Sequence, residues 1–355
     1  MQDEGPGGAA GVGAGRGGLA PLSPRPAREA GMGEQRLHRN MGLDLVRATE
    51  AAALAAARWM GLGLLQEAEA AASAAMARAL DSLEMDGQIV IGEEGRPGAQ
   101  STLPSGRRVG TGRGVALDVL ADAIDGRRLL ARGRPGAVAV AAVAGRGTMW
   151  APRPAAYMEK IVVNREVAQA LVPECMTAPA AWTLGLIARA KGKAVRDLVI
   201  FVLERPRHAD LIGEIRAAGA RVMLADDGDI SGAVLAASPD GPVDALMGVG
   251  GAAEGVTAAC AVRALGGGML VRLAPQSEAE REAVAAAGLD PRRVLTCDDL
   301  VAGEQIFFVA TGITDGLLLG GAHFSGERAS TNSLILRSET RTRRTIMAEH
   351  LLDPE

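Results

Sequence analysis

Acidic residues follow two short apolar runs in the first half of the chain. Glu93 comes after the run at 88–91, and Asp122 and Asp125 come after the run at 115–121, separated by one tight turn. Carboxylates gathered where strands end can hold hard divalent cations and, through them, phosphate oxygens. Solvated turn residues are the competing interpretation of each carboxylate taken alone. The pattern predicts a metal and phosphate site.

Three polar loops further along the chain add basic and glycine residues to this chemistry. They read ERPRH at 204–208, DDGD at 226–229 and GVGGAAEG at 248–255. Arg205 and Arg207 flank a proline, which suits fork-like recognition of phosphate or carboxylate oxygens. A solvated basic turn is the alternative interpretation of these two arginines.

The third loop resembles a dinucleotide-binding pattern, but its glycines are misplaced for GxGxxG. The amides of Gly250 and Gly251 stand beside a predicted helix start and could hold an anion, while Glu254 could face a metal. The sequence has no P-loop pattern, which disfavours an NTP-driven phosphotransferase. A nucleotide-binding oxidoreductase remains a rival, resting on this glycine pattern and on the alternation of helices and strands.

Helices and strands alternate from about residue 180, and this rhythm positions the three loops. Four helix–strand pairs are predicted, at 180–204, 208–225, 230–250 and 254–273. Such alternation predicts a mostly parallel sheet with helices on its faces, and ligands bind beyond the carboxyl ends of its strands. The earlier predicted elements are helices at 43–60 and 66–83 and strands at 88–91, 115–121, 136–144 and 156–163.

The composition limits the function classes. The chain has 355 residues, 48% of them apolar, and a formal net charge of -4, so it can bury a large core and has no field that favours nucleic acid. Three scattered cysteines without CxxC spacing indicate buried thiols in a reducing compartment. No apolar run approaches the roughly 20 residues of a membrane span. Residues 1–40, rich in Gly, Ala, Pro and Arg, are predicted to form a disordered tail.

Ten stretches between residues 41 and 350 match one protein family, in the family's order and near its spacing. They read LVRATEAAALAAARWMG, DGQIVIGE, VGTGRG, APRPAAYMEK, RPRHADLI, AGARV, DGD, LMGVGGAAEG, ATGITDG and SLILRSETRTRR. On these stretches the chain is similar to class II fructose-1,6-bisphosphatases of the bacterial type, members of the lithium-sensitive sugar-phosphatase superfamily.

The resemblance implies an α/β fold, a layered α/β/α/β/α sandwich. Residues 41–178 would form an N-terminal half with most metal ligands, and 179–355 a C-terminal half with the substrate loops and the last ligand. The resemblance also implies cytoplasmic homo-oligomers that hydrolyse the 1-phosphate of fructose 1,6-bisphosphate in gluconeogenesis, with Mn²⁺ or Mg²⁺. Some family members also accept sedoheptulose 1,7-bisphosphate.

Carried onto this chain, the family's site keeps all five metal positions acidic. The metal ligands implied by the resemblance are Glu69, Glu93, Asp122, Asp125 and Glu254. The implied catalytic residues are Glu93, Asp122, Asp125 and Arg127. The implied contacts of the sugar phosphate are Asp125, Gly126, Arg127, Tyr157, Lys160, Arg205, Pro206, Arg207, Asp227, Gly228, Asp229 and Gly251.

Arg127 is the main departure, because the family has there the threonine that helps to align the attacking water. The fixed charge of Arg127 could pair with Asp125 or Asp122, or it could clamp the departing phosphate. Losing a positioned catalytic group commonly costs about 100- to 10,000-fold in rate. Three hypotheses follow: an active sugar bisphosphatase, a phosphatase with a shifted substrate, or an impaired pseudophosphatase that binds a sugar phosphate or an intact paralogue.

Overall fold

A computed structural model describes residues 37–92 and 102–352. Within these residues the α-helices are Met41–Ala57 (α1), Leu65–Asp81 (α2), Arg127–Ala131 (α3), Ala180–Lys191 (α4), Ala209–Ala217 (α5), Asp229–Ala237 (α6), Ala252–Leu265 (α7), Glu278–Ala286 (α8) and Cys297–Leu300 (α9). The strands are Asp86–Ile91 (β1), Arg108–Val109 (β2), Ala116–Asp125 (β3), Val138–Gly145 (β4), Tyr157–Val163 (β5), Val199–Leu203 (β6), Arg221–Ala225 (β7), Ala245–Gly251 (β8), Gly268–Leu273 (β9), Leu295–Thr296 (β10), Phe307–Gly312 (β11), His323–Ser325 (β12), Arg328–Arg337 (β13) and Thr342–Leu351 (β14).

The first sheet has eight strands and is mostly antiparallel. Its order is β12-β13-β11-β4-β3-β1-β2, with β14 on the second edge of β13. Only β1 and β3 pair in parallel within it. β11 to β14 come from the end of the chain, so the first sheet joins early and late segments.

The second sheet has the order β10-β9-β5-β8-β6-β7. The prediction of a mostly parallel sheet is wrong here, because only β6–β7 and β6–β8 pair in parallel. β5 lies antiparallel between β8 and β9 and separates two strands that are consecutive in the helix–strand alternation. β5 precedes residue 180 in the chain. The local alternation of helices and strands does not indicate which distant strand inserts between β8 and β9.

Three clusters of buried side chains separate the layers. α1 and α2 pack on one face of the first sheet, where Ala139 and Ala141 of β4 are buried. Val140 and Ala142 point to the other face and pack against α6 and α7, which also cover the second sheet. α4 and α5 cover the far face of the second sheet. The layers therefore follow the order α/β/α/β/α, which confirms the predicted α/β sandwich.

The predicted tail at 1–40 lies outside the described residues up to residue 36. Leu37 is buried, and its N–H donates to Gln305 Oε1 at 2.8 Å. The division into halves at residue 178 stays a prediction. Every helix among residues 37–92 and 102–352 is too short or too polar to span a bilayer.

Candidate active site

Asp122 and Asp125 lie on β3 itself, which corrects the prediction that the strand ends at 121. Asp122 pairs with Val140 and Asp125 with Val138 of β4, so an advance of three residues along β3 corresponds to two residues along β4. The extra residue is a β-bulge, a device that re-aims side chains at sheet edges and active sites. Both carboxylates are buried, at 4% and 5% exposure.

Asp125 is electrostatically destabilised as an anion. Burial raises its pKa well above the ordinary value, and the nearby carboxylates of Asp122, Asp227 and Asp229 raise it further. The backbone N–H of Ser231 donates to Asp125 Oδ2 at 3.2 Å and opposes this shift only in part. A set of buried like charges of this kind attracts a cation.

Glu69 and Arg127 form an ion pair, with 3.1 Å between Glu69 Oε2 and Arg127 Nη2. Glu69 comes from α2, where its side chain is only 1% exposed, and Arg127 begins α3. The sequence left two roles open for Arg127, pairing with Asp125 or Asp122 and clamping the departing phosphate. The observed ion pair is with neither aspartate, and the clamp stays a prediction. Gly126 precedes α3 with φ of 89°, which a glycine adopts without strain.

Lys160 and Asp229 form a second buried ion pair, with side chains 1% and 9% exposed. Lys160 comes from β5 and Asp229 from the first turn of α6. A Cβ atom on Gly250 would collide with the Asp229 carboxylate and the Lys160 ammonium group. Glycine at 250 therefore keeps this pair intact, a role that its place in the sequence does not indicate.

Arg205, Arg207 and Tyr157 form the basic side of the candidate site. Arg205 Nη2 donates to Asp227 Oδ1 at 3.1 Å, and Nη1 donates to the Asp226 carbonyl at 2.6 Å. The guanidinium carbon of Arg207 lies 5.3 Å from the centre of the Tyr157 ring. Pro206 begins a short 3₁₀ turn that contains Arg207, and Arg205 directly precedes this turn.

The surroundings of Arg207 destabilise its positive charge, whereas those of Asp125 destabilise a negative charge. Burial lowers the pKa of the Arg207 guanidinium, and the adjacent Arg205 charge adds to this effect, while Tyr157 and Asp229 oppose it. Its Nη2 and Nε donate to the Val249 carbonyl at 2.8 and 3.2 Å. An anion bound beside Arg205 and Arg207 would stabilise both positive charges.

His208 and Ser231 are two positioning residues that the sequence did not indicate. His208 Nδ1 donates to the Leu203 carbonyl at 2.7 Å, and Nε2 accepts the Val249 N–H at 2.8 Å, so the ring is neutral and ties β6 to β8. Burial lowers the pKa of His208, which favours this neutral form. No sequence pattern marks this histidine, because its contacts are to backbone atoms, which leave no side-chain signature.

The turns before α6 and α7 complete the site. Gly228 has φ of 90° and brings Asp227 and Asp229 to the same turn. Burial raises the pKa of Asp227, and the charge of Glu254 in the first turn of α7 contributes to the shift. A Cβ atom on Gly251 would collide with the Glu254 carboxylate. The loops predicted to meet at one sheet edge therefore do meet.

The metal ligands implied by the resemblance are not gathered into one cluster within the described residues. Among residues 37–92 and 102–352, no three His, Cys, Asp or Glu side chains are grouped closely enough to hold a metal ion. Glu93, a predicted ligand and catalytic residue, lies outside the described residues. The charged neighbours of Asp125 are carboxylates, and carboxylate oxygens are ligands that Mg²⁺ and Mn²⁺ prefer.

A cavity of about 400 Å³ opens beside this region, bordered by Asp227 and Ser231. Most of its wall is apolar, including Leu129, Phe201 and Met223. Phosphate oxygens need charged or N–H donors, so this apolar wall does not suit them. The charged side chains and N–H groups of the three loops suit phosphate oxygens better.

The layered fold and the polar loops at its sheet edge are those of a sugar phosphatase. A family model described as bacterial fructose-1,6-bisphosphatase, glpX-encoded, matches residues 39–350. A class 2 fructose-1,6-bisphosphatase of Haemophilus influenzae is 40% identical over 330 residues, which cover 89% of this chain and 98% of the relative. Fructose-1,6-bisphosphatase 1 class 2 of Escherichia coli is 37% identical, over 89% of this chain and 97% of the relative. The chain therefore belongs to the glpX-encoded bacterial fructose-1,6-bisphosphatase family of phosphoric monoester hydrolases, and the resemblance predicted from the sequence is confirmed.

Proposed function

We propose that the protein is a metal-dependent sugar bisphosphatase that releases the 1-phosphate of fructose 1,6-bisphosphate, with sedoheptulose 1,7-bisphosphate as a second candidate substrate. We assign it to gluconeogenesis in the cytoplasm and to a homo-oligomeric state. Its relatives from Haemophilus influenzae and Escherichia coli are named as fructose-1,6-bisphosphatases. These names support hydrolysis and give no support to the alternative of an inactive pseudophosphatase.

The observation that carries the proposal is that one site contains a carboxylate and a guanidinium whose charged forms are both destabilised by their surroundings. The pKa of Asp125 is raised by burial and by neighbouring carboxylates. The pKa of Arg207 is lowered by burial and by Arg205. A cation beside Asp125 and a phosphate beside Arg207 would stabilise both charged groups. A metal-bound sugar phosphate supplies this combination.

Asp122, Asp125 and Glu254 would hold the metal, with Glu93 as a further ligand. Buried carboxylates repel each other, so they come within metal-ligand distance of a common point only when a cation lies there. When bound, Mn²⁺ or Mg²⁺ would polarise the phosphate and neutralise its developing charge. Glu69 would contribute less to metal binding, because its carboxylate is already paired with the Arg127 guanidinium.

The sugar phosphate would be oriented by residues from three loops. Arg205 and Arg207 would bind phosphate oxygens that are remote from the reacting phosphorus, while Tyr157 would pack against the sugar. Lys160 and Asp229, held as a buried pair, would fix the sugar hydroxyls relative to Asp125. The chain's own groups would thereby position the 1-phosphate.

Purified protein should release inorganic phosphate from fructose 1,6-bisphosphate when Mn²⁺ or Mg²⁺ is present. Release should fall to background after chelation with EDTA and return when the metal is restored, because the carboxylates alone would repel the substrate phosphates. A malachite-green assay with each metal measures this. Release that persists in EDTA would overturn the metal dependence. Binding of the sugar phosphate without release under either metal would overturn the hydrolase.

Arg127→Thr should destabilise the chelated protein and increase its response to metal. The substitution removes the guanidinium that pairs with Glu69, whose side chain is 1% exposed. Losing one member of a buried ion pair commonly costs about 3 to 5 kcal/mol. Added Mn²⁺ should then raise the melting temperature of the variant more than that of the natural protein. Arg113→Thr, at an exposed position, is the matched control and should change neither quantity. Equal melting temperatures for the two variants in EDTA would contradict the structural role of Arg127.

A further inference from the structure

β14 is an edge strand of the first sheet with one row of backbone groups turned outward. It pairs with β13 along its whole length, from Arg337–Thr342 to Arg328–Leu351. The other edge of β13 is taken by β11 and β12. Within the described residues no strand covers the outer edge of β14. A ten-residue strand with an open edge is a template for pairing with another strand.

The two faces of β14 differ. The register with β13 places Ile346 and His350 on the α1 face, where Ile346 packs against the cluster under α1 and His350 Nε2 lies 2.8 Å from Thr331 Oγ1. Met347 and Leu351 lie on the opposite face, and each is 78% exposed. Large apolar side chains left on an open edge strand mark a surface that binds a partner.

We propose that β14 pairs antiparallel with β14 of a second copy of this chain, about a two-fold axis at Ile346. The pairing would join the two eight-stranded sheets edge to edge. A two-fold axis normal to a sheet relates only side chains on the same face, since it does not exchange the faces. In this register Arg343 of each copy is opposite Glu349 of the other, and Thr345 is opposite Met347.

The distribution of charge favours a second copy over another kind of partner. β14 is basic at its start, with Arg343 and Arg344, and acidic near its end, with Glu349. Antiparallel self-pairing at Ile346 therefore matches opposite charges twice, and opposite charges across strands stabilise a sheet. Within one chain, Glu349 Oε2 lies 3.5 Å from Arg328 Nη1, but both side chains are more than 70% exposed, so this contact is weak and does not block the pairing.

Charge reversal tests this interface. Arg343→Glu sets two like-charge pairs across the axis and should weaken self-association by about tenfold or more. Glu349→Arg should do the same, and the double variant should restore the affinity. Arg344→Glu is the matched control, because it changes the same charge on the other face, opposite Ala348 of the second copy. Sedimentation equilibrium over a concentration series at low salt measures each dissociation constant.

Ile346→Cys gives a second, independent readout. The two-fold axis places residue 346 opposite its own copy, at a separation that a disulfide can bridge. Mild oxidation should therefore produce a covalent dimer on a non-reducing gel. The native cysteines at 175, 260 and 297 are all buried and should not contribute. Thr345→Cys, which is opposite Met347, should remain monomeric on the gel.

The outcomes separate this interface from the proposed homo-oligomer on which it rests. A protein that is monomeric at all concentrations tested would overturn both. An oligomer whose dissociation constant is unchanged by Arg343→Glu and by Glu349→Arg would overturn the β14 interface alone. Phosphate release by the charge variants reports separately on the proposed hydrolase, since neither residue lies in the candidate site.

Discussion

Asp125→Asn should lose most phosphate release and at the same time make the chelated protein more stable. The carboxylate lies at the β3 bulge, where it would hold the metal and face the reacting phosphate. Loss of a positioned catalytic group commonly lowers turnover by about 100- to 10,000-fold. The asparagine has nearly the same shape but carries no charge, so it also removes the repulsion from Asp122, Asp227 and Asp229.

The gain in stability has a defined pH dependence. The folded-state pKa of Asp125 is raised above its ordinary value of 3.8, so the folded state holds this proton more tightly than the unfolded state does. In EDTA, the contribution of Asp125 to the free energy of unfolding therefore falls as pH rises from about 3.8 through the folded-state pKa. The Asn variant should lack this fall, so its advantage should be greatest above that pKa. Urea titrations at several pH values, in EDTA and then with Mn²⁺, measure the difference.

Asp118→Asn is the matched control, since it changes another buried carboxylate of β3. Asp118 Oδ2 accepts the N–H groups of Thr148 and Met149 at 2.9 and 3.0 Å, away from the substrate loops. This variant should keep its turnover, whatever its stability. If Asp125→Asn retained turnover, or if Mn²⁺ stabilised it as much as the natural protein, Asp125 would not be a metal ligand.

Lys160→Met should destabilise the protein strongly and abolish substrate binding. Lys160 is 1% exposed and is paired with Asp229, so the substitution leaves a buried carboxylate without its counter-charge. Breaking a buried pair in this way costs about 3 to 5 kcal/mol in the free energy of unfolding. Lys193→Met is the matched control: Lys193 is 42% exposed in its pair with Asp244, and its loss should cost about 1 kcal/mol or less.

A double variant separates stability from function at this pair. Lys160→Met with Asp229→Leu removes both charges and should recover most of the stability, because apolar replacement of a whole buried pair is often neutral. Phosphate release should nevertheless stay at background, because the groups that orient the sugar are gone. Recovery of both stability and turnover would show that the pair is only structural. Denaturant titration and phosphate release on the same preparations decide between these outcomes.

Local sequence patterns predicted the helices and strands well, and predicted less well which strands lie side by side. Helical spacing placed α1 and α2 to within a few residues, and apolar runs placed β1, β4 and β5. The same patterns ended the third strand at 121, because they could not detect a buried aspartate pair carried by a bulge. They also missed β5 as the strand between β8 and β9, since strand order depends on contacts between distant segments.

The sequence by itself determined the family and, through the resemblance, the layered α/β class, because both rest on the order of the motifs. It also located the loops that carry the charged residues, because the alternation of helices and strands is a local pattern. Only the tertiary structure decided which charges meet. It paired Arg127 with Glu69, Lys160 with Asp229 and Arg205 with Asp227. The physical reason is that burial and the distance between charges set their energies. Both quantities arise when elements far apart in the chain pack together, so neither can be read from residue spacing.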